Sequence, residues 1–424
     1  MSAGSFTAED LSLPSRNIAF VLHGADHVEY EERPMPGEPG PNEYVACTAL
    51  STTEQPPLTY SSSSRRVIIA PKAIGVCGSD IHVFSAGRIG SHIIKEPFVL
   101  GHETAGVVVK VGRAVQNLKP GDRVAVEPGE PCRECPECKG GQYQLCEKML
   151  FAGVPTPRHD GTLCGFYRLA ADLCFKLPDH MSLEEGALIE PLSVGVHALT
   201  HVGHMKPASN VVVFGAGPVG LLTAAAAKGL GAARVIAIDI QEQRLQFAKD
   251  AGLVHDYYLP PKPQDGESRE DYPIRSAVEI RKRFGFAEHG PKGVDLVLDC
   301  SGAEVCVQTA CHLLKHGGTL VQVGIGKADV SVPLHTVLTH ELSLKGSWRY
   351  GPGVYDLALD LVARGAVNLK PLVTHRYPFT EALRGMTDCR RGYSDDGKNT
   401  IKVVIGGSDE RANNLKLGEK VVLS

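Results

Sequence analysis

Residues 210–220, Asn-Val-Val-Val-Phe-Gly-Ala-Gly-Pro-Val-Gly, join an apolar run to a Gly-x-Gly-x-x-Gly turn. The run predicts a buried strand over Asn210–Phe214, and the Ala- and Leu-rich stretch from Pro218 to Leu230 predicts a helix. In such a turn Gly215 allows the tight bend and Gly217 lets the backbone approach a pyrophosphate. Gly220 allows close packing of helix on strand, and the helix N-terminus faces the phosphates. The motif alone is weak, and a ligand-free glycine turn is the bland alternative. Here its context is right: Arg234–Ile238 reads as a second strand, and Asp239 ends it 19 residues after Gly220. A carboxylate at that place binds the adenosine ribose hydroxyls and repels a 2′-phosphate, which favours NAD over NADP.

Downstream, a helix over Gln243–Ala251, a strand over Asp295–Asp299, a helix over Ala303–Lys315 and a strand over Gly318–Val323 continue the alternation. Strands alternating with helices of this length predict a doubly wound parallel sheet. Upstream the pattern differs. Ile18–Leu22, Val67–Ile69, Gly106–Val111 and Arg123–Val126, with a Lys-Pro-Gly-Asp turn at 119–122, predict a β-rich domain. The fold class expected is therefore α/β, a β-rich catalytic domain plus a parallel-sheet nucleotide domain. The expected boundaries are 1–192, 193–345 and 346–424, the last segment returning to the first domain and ending in a polar tail. Ala46–Arg66 is polar, holds four consecutive serines and interrupts the strand leading into Val67. It reads as an insertion with the composition of translated non-coding sequence. Pro260–Tyr272, charged and Pro-rich, reads as a surface loop.

Two cysteine and histidine clusters carry the chemistry. Cys132, Cys135, Cys138 and Cys146 form C-x2-C-x2-C-x7-C, a spacing that closes four thiolates around one structural zinc. Packed or disulfide-linked thiols are the alternative, and cysteines three apart suit a metal better. Cys77, His102 and Glu103 offer one soft, one borderline and one hard ligand, which suits a zinc left open to substrate. Glu190 is a further candidate, reaching the metal directly or through water. An open zinc beside NAD implies alcohol oxidation with hydride transfer to the nicotinamide. His197, His201, His204, His312 and His316 read as surface residues.

Bulk composition bounds the rest. The 424 residues suffice for two or three domains, and 43% hydrophobic with 22% charged residues is ordinary for a globular chain. A formal net charge of −4 argues against nucleic-acid or anionic-membrane partners. No apolar stretch approaches a membrane span. Met1–Leu13 holds two acidic and no basic residues, unlike a signal peptide. Twelve cysteines in a large chain, four of them at metal spacing, fit a reducing cytoplasm.

Gly101-His-Glu-x-x-Gly106-x5-Gly112-x2-Val115 resembles the zinc signature of the zinc-dependent medium-chain dehydrogenase/reductase family. Cys77–His82, Gly186–His197, Val211–Leu221 and Gly346–Gly351 resemble its polyol branch, sorbitol dehydrogenase and most closely fungal xylitol dehydrogenase. The alcohol dehydrogenases of the family typically carry cysteine where this chain has Glu190. The resemblance implies a GroES-like β domain plus a Rossmann domain, a small polyol substrate, and a dimer or tetramer. It implies that Cys77, His102 and Glu103 bind the catalytic zinc, with Glu190 close by through water. Ser79 and His82 would help move the proton or touch substrate. Arg349 and Tyr350 would line the polyol and nicotinamide pocket, and Val219, Asp239, Arg244, Val323, Gly324 and Ile325 would contact the cofactor. Three features depart from the pattern: Val83 where many members have an aromatic, Trp348 in place of phenylalanine, and the insertion. The expected reaction is oxidation of xylitol to D-xylulose with NAD. Sorbitol or L-arabinitol oxidation is the near alternative, and a non-catalytic NAD- and zinc-binding scaffold the distant one. A zinc-free NADPH quinone reductase would have no use for Cys77, the four-cysteine lobe or Asp239.

Overall fold

Val211, Val212 and Val213 have no exposed surface, because the strand Asn210–Phe214 lies inside a parallel sheet covered on both faces. The computed structural model describes residues 15–37, 65–90, 92–155 and 158–422. The chain divides into two units. One holds the residues up to Glu190 and from Leu372 on, the other Pro191–Pro371. Most of the expected insertion, 46–64, lies outside the described residues. Its last residue, Arg66, already pairs within the strand Arg66–Gly75.

The second unit is built on a six-stranded sheet in which every pairing is parallel. In space the strands run Asp256–Tyr258, Arg234–Ile238, Asn210–Phe214, Val294–Asp299, Leu314–Gln322, Ser343–Gly346. The order reverses at Asn210–Phe214, so a crevice opens at its carboxyl end, where Gly215–Gly220 lies. Residues 346–371, expected to return to the first domain, stay here. Helix Val354–Ala363 buries Val354, Ala358 and Leu361 and packs on helix Pro218–Gly229. The Pro260–Tyr272 stretch is a surface loop as far as Glu270, and its last two residues open the helix Asp271–Phe284. Arg275 bonds both Glu267 and Glu279, and the Tyr272 hydroxyl donates to the Pro261 carbonyl.

The first unit carries a seven-stranded sheet centred on Glu103–Val111 and Arg66–Gly75, with the late strand Lys402–Gly406 antiparallel to Arg66–Gly75. That pairing sets Val404 opposite Gly75, and Glu103 flanks Gly75 on its other side. A smaller sheet joins His27–Glu32, Ile18–Gly24 and Phe98–Val99, and its Ile18, Phe20, Leu22 and Phe98 are core residues. Among the described residues no helix is long and apolar enough to cross a membrane.

Candidate active site

In the second unit the glycine turn has the geometry its sequence requires. Gly215 sits at φ +92°, a region that strains side-chain-bearing residues. A Cβ on Gly220 would lie 1.8 Å from the Gly215 carbonyl oxygen, so only glycine fits. Gly217 caps the helix that begins with Pro218, and no side chain bonds the helix's first amides. Asp239 reaches back from the neighbouring strand end. Its Oδ2 accepts from the Ala216 amide at 2.6 Å, and its Oδ1 from the Gln241 amide at 2.8 Å. Val219 and Arg244 are partly exposed on the two flanking helices. Val323 and Gly324 donate their amides to the Asp299 carbonyl at the carboxyl edge of the sheet, and Ile325 beyond them is 68% exposed. These residues and the carboxylate of Asp239 form a cradle whose chemistry suits NAD. Ile240, next to Asp239 and 83% exposed, is an apolar surface that sequence reasoning passed over.

Arg349 holds a positive φ of +52°, and its guanidinium lies 5.1 Å from the Trp348 ring centroid. Tyr350 is buried and meets Tyr355 edge-on at 5.4 Å. Val83, at the departure from the family pattern, is buried in the first unit's core.

In the first unit, Cys77 is the N-cap of the helix Gly78–Ala86. His102 and Glu103 leave the turn before the strand Glu103–Val111. One donor atom from each of Cys77, His102 and Glu103 lies within 4.8 Å of the others. Glu190 is buried in the first turn of helix Ile189–His197 and falls outside that converging set. The Ser79 hydroxyl lies 3.5 Å from His102 Nε2, and His82, one turn on, is exposed.

Two residues that sequence reasoning missed position these groups. Asp80 is buried, accepts from the Cys77 amide at 3.2 Å and the Gly101 amide at 3.4 Å, and lies 3.5 Å from His102 Nδ1. It lies on the Nδ1 side of the ring, so Nε2 is the nitrogen left for a metal. Burial disfavours the charged imidazole, yet Asp80 and Cys77 outweigh it and hold the His102 pKa well above the ordinary value. Lys402 is the second. Its Nζ lies 2.8 and 2.7 Å from the two Glu103 oxygens and 3.1 Å from the Val76 carbonyl, with both ionic side chains at most 3% exposed. A Cβ on Gly75 would stand 2.1 Å from Glu103 Oε2, so that glycine leaves the carboxylate its space.

The four-cysteine lobe converges too. The sulfurs of Cys132, Cys135, Cys138 and Cys146 lie within 4.8 Å of one another, and every cysteine among the described residues is free. Backbone amides of Cys132, Arg133, Cys135 and Cys138 point at these sulfurs over 3.2–3.5 Å, as suits thiolates. Both donor sets fit zinc: four thiolates for a closed site, and sulfur, nitrogen and oxygen for an open one.

His197, read from sequence as a surface residue, is a correction. It is buried, as are Leu192, Ser193 and Val196 of the same helix, which is covered on nearly every side. Burial, then the neighbouring His201, pushes its pKa down to about 4 from 6.5. The unfolded chain therefore takes up this proton first. Stability from this group is complete above pH 6.5 and falls progressively toward about 4. Between pH 7 and 5 the expected loss is about 2 kcal/mol, and His197→Gln removes that part of the slope in urea unfolding.

An open three-ligand metal seat, a closed thiolate lobe and a dinucleotide cradle define a zinc-dependent nicotinamide dehydrogenase. Family models agree on both units: an alcohol dehydrogenase GroES-like domain matches residues 63–179 and a zinc-binding dehydrogenase domain residues 218–364. The chain is 44% identical to the probable D-xylulose reductase A of Aspergillus clavatus, over 93% of this chain and 98% of that one. It is 43% identical to D-xylulose reductase A of Aspergillus niger over the same shares. Among solved structures it resembles L-idonate 5-dehydrogenase of Escherichia coli, with TM-score 0.73, 26% identity, and coverage of 92% of this chain and 98% of that one. It also resembles 2R,3R-butanediol dehydrogenase of Bacillus subtilis, with TM-score 0.73, 26% identity and coverage of 92% and 100%. The chain belongs to the zinc-dependent medium-chain dehydrogenases, in their polyol dehydrogenase branch. It is an NAD-dependent oxidoreductase with zinc as its metal.

Proposed function

We propose that this chain interconverts xylitol and D-xylulose. The observation that carries the reading is the donor set of Cys77, His102 and Glu103 in a chain more than 40% identical to D-xylulose reductases along nearly its whole length. When bound, zinc supplies a Lewis acid at the substrate oxygen, and NAD supplies the hydride acceptor. Cys77, His102 and Glu103 hold that zinc, and Asp80 fixes the imidazole. Glu190, a buried carboxylate of the same unit, acts through water. The Ser79 hydroxyl takes the substrate proton and exposed His82 passes it to solvent. Arg349, with several donors in a fixed fork, and Tyr350 recognise the polyol hydroxyls. Gly215, Gly217, Val219, Gly220, Asp239, Arg244, Val323, Gly324 and Ile325 seat the NAD. Cys132, Cys135, Cys138 and Cys146 hold the structural zinc.

The chain acts in the cytoplasm as a homo-oligomer, with no nucleic-acid or membrane partner. Support for self-association comes from the edge strand Ser343–Gly346, whose Leu344 is 40% exposed, and from Leu334 and Leu338 on the helix Leu334–Thr339, each over 70% exposed. Initial rates with xylitol, sorbitol and L-arabinitol at fixed NAD test the substrate. The highest kcat/KM is expected for xylitol. A higher value for either other polyol would reassign it within the family, since one hydroxyl contact can decide between such sugars.

A further inference from the structure

The outer face of the first hairpin carries four metal-ligating side chains that belong to neither zinc centre. Val28 and Tyr30 point into the core, where the Tyr30 hydroxyl donates to the Phe379 carbonyl at 2.7 Å. The alternation of the strand His27–Glu32 therefore puts His27, Glu29 and Glu31 together on the opposite face. A register shift between Leu22 and Gly24 brings His23 beside them. His23 Nε2 lies 2.5 Å from Glu31 Oε1 and 3.7 Å from Glu29 Oε2, and His27 Nε2 lies 2.8 Å from Glu29 Oε1. One donor atom from each of His23, Glu29 and Glu31 falls within 4.8 Å of the others. The two imidazoles stack at 5.2 Å, and the carboxylates are only 15% and 23% exposed.

We propose that His23, His27, Glu29 and Glu31 bind a divalent transition cation, zinc in the first place, as a third metal of this chain. Two neutral imidazoles and two carboxylates cancel the charge of such an ion. Nitrogen with carboxylate oxygen suits zinc, nickel or copper better than magnesium or calcium. The donor atoms of His23, Glu29 and Glu31 are already gathered, and His27, bonded to Glu29, completes the set by a shift of its ring. On binding, the Nε2 lone pairs turn to the metal and each ring keeps its proton on Nδ1. Arg33, with Nη2 3.3 Å from Glu31 Oε2, is a nearby positive charge and holds the affinity below that of the four-thiolate lobe. The ion clips the two strands at their turn and plays no part in hydride transfer.

The test uses the tag-free full chain with its two resident zincs. It is equilibrated with increasing free Zn2+, separated from unbound metal, and assayed for metal per chain. Three zincs are expected in the wild type and two in His23→Ala/His27→Ala, with polyol oxidation unchanged. Glu29→Gln, which keeps side-chain size, is expected to weaken uptake of the third ion about tenfold or more, and it decides the matter if the double variant does not fold. A wild type that saturates at two zincs, or a third ion held equally well by the variants, overturns the site.

Discussion

Replacing Lys402 with methionine is expected to destabilise the folded chain by about 3–5 kcal/mol and to loosen the catalytic zinc. The ammonium is the buried partner of both Glu103 oxygens, and among the described residues no other hydrogen bond reaches that carboxylate. Burial alone would push the Lys402 pKa down. Glu103 and Cys77 more than offset this and hold it above the ordinary lysine value, so the residue carries its charge throughout the working range. In the zinc-free chain, removing it leaves an uncompensated carboxylate with its surroundings closed to water, which is the costly way to break a buried pair. The same change frees the carboxylate to rotate away from Cys77 and His102. Chemical unfolding and the rate of zinc release to a chelator read the two effects separately. Lys402→Arg, which keeps the charge, is expected to recover part of both. Lys402→Met/Glu103→Gln is expected to recover much of the stability, since no charge is then left buried, but not the zinc retention.

Replacing Asp239 with asparagine is expected to reduce the preference for NAD over NADP by about 100-fold, roughly 3 kcal/mol. The change keeps the size of the side chain and an oxygen for the Ala216 amide, so the glycine turn should hold its shape. It removes the negative charge that a 2′-phosphate would have to approach. The effect should fall mainly on KM, with NADP gaining and NAD losing. Steady-state kinetics with both cofactors at saturating polyol check it. An unchanged ratio would mean that the discrimination lies elsewhere in the cradle.

The parallel sheet was legible because its central strands Asn210–Phe214, Arg234–Ile238 and Val294–Asp299 are almost uninterrupted apolar runs, and the glycine turn because its spacing follows a backbone requirement at Gly215 and Gly220. The metal donors were legible as residue types and spacings. Their supports were not. Lys402 lies 299 residues from Glu103, and only the pairing of Lys402–Gly406 with Arg66–Gly75 brings it near. A lysine opening the apolar run Lys-Val-Val-Ile-Gly was the one available signal. Asp80 falls within the Cys77–His82 stretch, yet its bond to the Cys77 amide is a property of the helix cap. His197 was misread because its helix is apolar nearly all round, and a single polar residue at its end resembles a solvent-facing position. The unit boundary at 371 depends on helix Val354–Ala363 packing on Pro218–Gly229, a contact between segments far apart in sequence.

The most direct measurement is NADH formation from xylitol by the full 424-residue chain, before and after chelator removes the more labile zinc, and again after zinc is restored. The expected result is oxidation that falls in step with the loss of one zinc per chain and returns with it, while the four-cysteine lobe keeps its metal. No NADH from xylitol or any other polyol in the fully zinc-loaded protein, or a rate indifferent to the labile zinc, would contradict a zinc-dependent polyol dehydrogenase built on Cys77, His102 and Glu103.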